Sequence, residues 1–152
     1  MLNQSFRHGF SLIEMVVLIS IIGVVTMITM PLIQNYQPTL RLNTASRNLA
    51  TDLRYAQQRT VTEQTNYQIA FDLPNRTYQV IKKATGQIIK TVTISNDLNW
   101  SINQPGFTND RVEFVITGAA LQAGQLVITN RQNRFLTIEI KPSGYVKISQ
   151  TN

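Results

Sequence analysis

Between Phe10 and Ile33 the chain reads FSLIEMVVLISIIGVVTMITMPLI, 24 residues with a single charge, Glu14. A helix of roughly 20 predominantly apolar residues spans the hydrocarbon core of a bilayer. From Met15 through Leu40 no charged side chain occurs, so no face of such a helix is suited to bulk water. The preceding head, Met1–Gly9, carries Arg7 and His8. By the positive-inside rule this head stays cytoplasmic and everything after Ile33 lies across the membrane. A secretory signal peptide would have a shorter apolar core closed by an Ala-x-Ala-like site. Here the run closes on Thr29-Met30-Pro31-Leu32-Ile33-Gln34, which reads as an uncleaved anchor over residues 10–33 and a single-pass topology.

Two residues in this segment are physically costly. Glu14 sits four positions past Phe10, near the membrane edge, where an ionised carboxylate without a partner is expensive and intramembrane acids usually serve a function. Pro31 removes a backbone donor and crowds the preceding turn, which predicts a kink or local unwinding. Pro38 adds a second weak point, and Gly23 offers a small site where another helix can approach.

Past Leu40 the pattern turns amphipathic. Leu42, Ala45, Leu49, Leu53, Ala56 and Val61 recur three to five residues apart, whereas Arg47, Thr51, Arg54 and Gln58 fall on another face. This spacing predicts that the helix continues over residues 34–62 with one stripe turned to a core. From residue 63 the period drops to two. Tyr67, Ile69 and Phe71 alternate with polar residues, Leu73–Arg76 is a turn, and Tyr78 and Val80 resume the alternation. Further strands are expected over Ile88–Ser95, Trp100–Ile102, Val112–Ile116, Leu126–Thr129, Phe135–Ile140 and Tyr145–Ile148. Between them lie the loop Asn103–Asp110, a Gly/Ala-rich bend from Gly118 to Gly124, and turns at Asn130–Arg134 and Pro142–Gly144. The resulting fold class is α+β: a long N-terminal helix packed on an antiparallel β domain over residues 63–152, with Trp100 as a core or edge anchor.

The chain has 152 residues, no Cys and one His. Disulfide frameworks, thiolate nucleophiles, Cys/His zinc sites and histidine-based triads are thereby excluded. The carboxylates are scattered without a paired or metal-ligating spacing, so no catalytic residue, metal site or cofactor is assigned. The formal charge of +6 permits contact with nucleic acid or anionic membrane and equally describes a solvated surface.

The N-terminus Arg7-His8-Gly9 followed by Phe10-Ser11-Leu12-Ile13-Glu14 resembles the type III signal of type IV pilins and pseudopilins. Pro31 matches the proline of their N-terminal helix. The remainder, with Phe114, Gly118, Gly124, Asn130 and a final hairpin at Gly144, is similar to the GspH/FimT-type minor pseudopilins. The resemblance implies a prepilin leader over residues 1–9, cut by a prepilin peptidase between Gly9 and Phe10, with methylation of the new Phe10 amine. It implies that Glu14 directs assembly by pairing with the amine of a neighbouring subunit, and that Pro31 marks the kink. The implied partners are the prepilin peptidase, other major and minor pseudopilins and an inner-membrane assembly platform. The implied role is that of a non-enzymatic filament subunit of a type II secretion or type IV pilus machine. An alternative within the resemblance is a competence-type pilin that contacts DNA. Its candidate contacts are Lys82, Lys83 and Lys90 near one hairpin, or Arg131, Arg134, Lys141 and Lys147 near the last two. Members that bind DNA carry an arginine-rich tail after the final Gly, whereas this chain has Gly144-Tyr145-Val146-Lys147.

Overall fold

A computed structural model describes residues 9–103 and 106–150. Arg7 and His8 of the head, and Pro105 of the 103–110 loop, lie outside the described residues. The chain divides into two compact units, one ending at Gln37 and one beginning at Pro38.

One helix, α1, runs from Leu12 to Glu63. Its helical assignment carries through residues 31 and 38, so neither proline ends the element. Within the second unit its buried positions are Leu42, Ser46, Leu49, Leu53, Ala56 and Thr60, widened by Ala50 and Asp52. Steps of four and three repeat along this row, which keeps one seam facing a partner layer. Arg47, Thr51, Arg54 and Gln58 are exposed, as the spacing requires. Val61 departs from expectation. Five residues past Ala56, it has rotated off the seam and is exposed, while Thr60 takes the buried slot. The Thr60 hydroxyl donates to Ala56 O at 2.8 Å and accepts from the Tyr67 backbone N–H at 3.2 Å. This polar staple turns the chain from helix into the first strand.

Eight strands follow: β1 Tyr67–Asp72, β2 Thr77–Lys82, β3 Gln87–Thr93, β4 Leu98–Asn103, β5 Arg111–Phe114, β6 Gly124–Asn130, β7 Phe135–Ile140 and β8 Val146–Ser149. They form two four-stranded antiparallel sheets, in the orders β3-β2-β1-β5 and β4-β6-β7-β8. The division into two sheets is not visible in the alternation of residues. It arises where the chain leaves β3 through Ile94–Asp97 and pairs β4 with β6, Leu98 opposite Asn130. Alternation is clean where one face is covered: Tyr67, Ile69 and Phe71 of β1, and Leu126 and Ile128 of β6, are buried while their neighbours are not. The shared core combines these with Leu49, Leu53, Tyr78, Val80, Phe114, Ile138 and Ile140. Trp100 is half-buried, edge-on to Phe71 at 5.9 Å between ring centroids, and its indole N–H donates to Leu73 O at 3.3 Å. The strand expected to reach Ile116 stops at Phe114, because Val115 accepts from the Gly118 N–H at 2.7 Å and the chain folds into a bend.

Candidate assembly helix

The segment Leu12–Met30 is apolar and long enough to cross a membrane, and none of it is buried. An exposed apolar surface of this extent on a single helix calls for a lipid or protein covering. Its few polar groups are already satisfied locally. The hydroxyls of Ser20, Thr26 and Thr29 each donate to the carbonyl four residues back, Val16, Ile22 and Val25, at 2.8 Å. Hydroxyls bonded in this way can lie in hydrocarbon without an unpaired donor. Glu14 is different. It is exposed in the first turn of α1, and among the described residues no side chain or backbone group bonds its carboxylate. Gly9 and Phe10, both exposed, lie just before the helix with Ser11 between, and the space around Gly9 is open, with no atom beyond its chain neighbours within 4 Å of where a Cβ would stand.

The second half of α1 is clamped to the sheets by acid, tyrosine and lysine side chains. Asp52, buried on the helix, accepts from the Tyr78 hydroxyl of β2 at 2.7 Å and from Lys90 Nζ of β3 at 2.7 and 2.8 Å. Burial first, and the neighbouring carboxylate second, push the Tyr78 phenol well above its ordinary pKa. Three helical turns on, Glu63 repeats the arrangement. Its Oε2 accepts from Tyr67 Oη and from Lys82 Nζ, both at 2.7 Å, and Arg59 pairs with its other oxygen. The Lys82 hydrogen bond, followed by that of Tyr67, holds the Glu63 carboxyl below its usual value, and the same bond raises Lys82. Gln57 reaches outward to donate to Gly118 O at 2.7 Å, and Arg54 donates to Val146 O at 3.1 Å. Nearer the start of the unit, Arg41 pairs with Asp97 at 3.1 Å.

These clamps change the reading of the basic candidates. Lys82, Lys83 and Lys90, expected together near one hairpin, are each spent on a carboxylate: Glu63, Glu113 and Asp52. Of the second set, Arg131 and Arg134 lie in the turn after β6. Lys141 follows the far end of β7, and Lys147 lies on β8 opposite Glu139. The six-residue strand β7 separates Arg134 from Lys141, roughly 20 Å at strand rise. The four residues therefore form two sites at opposite ends of one sheet, not a single patch.

The glycines of the last hairpin and the bend meet at one junction. A Cβ on Gly144 would stand 2.0 Å from Gly118 O and 2.3 Å from Gln57 Nε2, and both glycines have positive φ, +81° and +84°. Gly124 likewise leaves room for the ring of Phe107, which a Cβ would meet at 2.4 Å. A family model, Type II transport protein GspH, matches residues 45–144, the stretch from the clamped helix to this final glycine. The chain belongs to the GspH family. Two proteins with solved structures share the fold of this GspH-family chain. The minor pseudopilin EpsH of the Vibrio cholerae type 2 secretion system superposes with a TM-score of 0.63 at 9% identity, covering 72% of this chain and 97% of that one. The type IV minor pilin FimU of Pseudomonas aeruginosa gives 0.62 at 13% identity, covering 75% and 92%. A search of curated proteins gives no match.

Sequence reasoning missed Asp52, Tyr78 and Glu63 as clamps, and Gln57 as the side chain seated between two glycines. One signal was present for Asp52: an acid one residue before Leu53, flanking the apolar seam, is out of place unless something basic or hydroxylic meets it. Nothing comparable marks Gln57, since its partners are backbone oxygen and missing side-chain volume 61 residues or more away.

Proposed function

We propose that this chain is a minor subunit of a pseudopilin filament, of the type II secretion or type IV pilus kind, assembled through its N-terminal helix. The observation that carries the reading is the wholly exposed apolar stretch Leu12–Met30 with one unpartnered acid, Glu14, in its first turn. Membership of the GspH family and the type III signal around Gly9 and Phe10 support it. In this reading a prepilin peptidase cuts between Gly9 and Phe10 and the new amine of Phe10 is methylated. The helix holds the subunit in the inner membrane with its N-terminus cytoplasmic and the β domain outside. A buried carboxylate and a buried ammonium are each costly alone and far less so together. Glu14 of an incoming subunit therefore pairs with the Phe10 amine of a neighbour, which fixes the axial register, while Pro31 supplies the point at which the helix bends in the filament. The role is structural, and its partners are other pseudopilins and the membrane assembly platform.

The test is intact mass and N-terminal sequencing of the protein from membranes of cells with and without the peptidase, for the natural chain and for Glu14→Ala. A mature chain starting at methylated Phe10 only when the peptidase is present, with Glu14→Ala processed normally but absent from sheared filaments, is the expected result. An unprocessed chain in both strains, or normal filament entry by Glu14→Ala, would sink the reading.

A further inference from the structure

Among the described residues of the second unit, six large apolar side chains are exposed: Leu40, Val61, Ile88, Ile116, Leu121 and Tyr145. Four of them surround the junction at which Gln57 meets Gly118 and Gly144. Val61 Cγ2 stands 3.2 Å from where a Cβ on Gly118 would be, and Ile116 lies two residues before that glycine. Tyr145 follows Gly144 directly, and the Ala120 N–H donates to Pro142 O at 3.0 Å, which brings Leu121 beside the last hairpin. These four side chains are 44% to 59% exposed. Scattered exposed apolar residues need no explanation, whereas a cluster gathered from helix, bend and hairpin marks a contact surface. The backbone beneath it is fixed. The Gly118 N–H donates to Val115 O at 2.7 Å, the Gly144 N–H to Lys141 O at 2.8 Å and the Lys141 N–H to Tyr145 O at 3.0 Å, while Gln57 Nε2 ties the helix to Gly118 O at 2.7 Å. A surface ordered before binding loses little conformational entropy when a partner covers it.

Charge at the rim selects the occupant. Lys141 stands across the hairpin from Tyr145, Lys147 lies two residues further on, and Arg54 reaches Val146 O from the helix. All three are exposed, and among the described residues none pairs with a carboxylate. Of the acids on neighbouring elements, Glu63 and Glu113 are held by Lys82 and Lys83, which leaves Glu139, opposite Lys147 in the register. The rim therefore carries an excess of positive charge. A second copy of this chain would bring like charges together, which is unfavourable. An apolar segment bearing carboxylates fits both the centre and the rim. We infer that the surface formed by Val61, Ile116, Leu121 and Tyr145, rimmed by Lys141 and Lys147, docks an apolar segment flanked by Asp or Glu on a different subunit of the filament. This rests on the proposed role of the chain as a filament subunit. Apolar burial at the centre supplies attachment, and the cations at the rim set register and choice of partner.

The test is photocrosslinking of the full chain in cells that hold the complete assembly set, with p-benzoylphenylalanine in place of Ile116 or of Tyr145, and in place of Ile88 as the control. Ile88 is similarly exposed, at 52%, but lies on β3, at the opposite edge of its sheet from β5 and the bend. Adducts are mapped by mass spectrometry. The expected result is adducts from positions 116 and 145 and none from 88, joined to another subunit within a segment whose apolar residues are flanked by Asp or Glu. Their yield should fall roughly fivefold for Lys141→Glu and return when the mapped acid is replaced by Lys. Adducts to a second copy, to lipid or to a segment without carboxylates overturn the proposal. So do equal yields at position 88, no adduct at all, or yields indifferent to Lys141→Glu. Filament entry is read separately by shearing the same cells. A chain that enters filaments without these adducts overturns the docking surface alone, whereas adducts of the expected kind from a chain that never enters filaments uphold the surface and overturn the filament role.

Discussion

Replacing Gly144 with alanine tests the junction that locks helix, bend and hairpin together. The new methyl would stand 2.0 Å from Gly118 O, a backbone atom that cannot rotate away, and 2.3 Å from Gln57 Nε2. Three costs follow. The left-handed backbone, φ +81°, disfavours an L-residue by about 1–2 kcal/mol. Relief of the clash displaces the Gln57 bond to Gly118 O, worth about 1 kcal/mol. Forcing a methyl group into filled space costs about 1–3 kcal/mol more. The sum, about 3–6 kcal/mol, is a large share of the 5–15 kcal/mol available to an ordinary domain. Gly86→Ala is the matched control, because Gly86 also has positive φ, +69°, yet nothing lies within 4 Å of its added Cβ. It bears the backbone cost alone, partly offset by the lower entropy of the unfolded alanine chain, for about 1 kcal/mol net. The assay is thermal unfolding of the detergent-solubilised full chain, read by the fluorescence of Trp100, its single tryptophan. At roughly 4 °C per kcal/mol, Gly144→Ala should lower Tm by more than about 10 °C and Gly86→Ala by about 4 °C. Equal shifts for the two variants would refute the steric argument and leave only backbone strain.

Thr60→Val keeps the shape of a buried side chain but removes its links to Ala56 O and the Tyr67 N–H. A loss of about 1–2 kcal/mol is expected in urea titration, against less than about 0.5 kcal/mol for Thr51→Val, whose hydroxyl makes the same backbone bond at the surface. Glu63 has a folded-state pKa below its ordinary value of 4.5, so the unfolded chain binds its proton more readily. Its contribution is present above that value and is lost as the pH falls through the lower, folded-state value. Urea midpoints at neutral pH and at about pH 3 should therefore differ less in Glu63→Gln than in the natural chain; an unchanged difference would show that Asp72 and Asp97, shifted in the same direction, carry the acid sensitivity instead. Gly9→Val places a branched side chain at the proposed scissile bond and should leave the chain unprocessed by intact mass in cells containing the peptidase, whereas normal maturation would remove the assigned role of Gly9.

Much of this architecture can be read along the chain because its signals are local. Apolar residues without interruption mark a segment that nothing polar can cover, the three-and-four spacing from Leu42 to Ala56 marks a seam, and the two-residue alternation at Tyr67, Ile69 and Phe71 marks a strand with one covered face. Each follows from the fixed periods of helix and strand, so neighbouring residues suffice to reveal it. Glu14 is legible for the same reason, as a charge placed where its surroundings in sequence forbid one. Boundaries are less legible. Val61 continues the apolar spacing in sequence but lies off the seam, because Thr60 is drawn inward to meet the Tyr67 backbone, a contact that depends on where β1 begins.

The tertiary structure alone decided how the charges are spent and how the strands divide. Lys82, Lys83 and Lys90 look like one basic cluster until α1 packs on the sheet and brings Glu63 and Asp52 to two of them, while β5, paired beside β1, brings Glu113 to the third. Arg131, Arg134, Lys141 and Lys147 look like another until the strand β7 sets them at opposite ends. Likewise, Gly118 and Gly144 read as ordinary turn residues until Gln57 arrives between them from the helix. Pairings of this kind join residues tens of positions apart. Composition and period carry no term for such separations, and the contacts exist only once two sheets have closed on one helix.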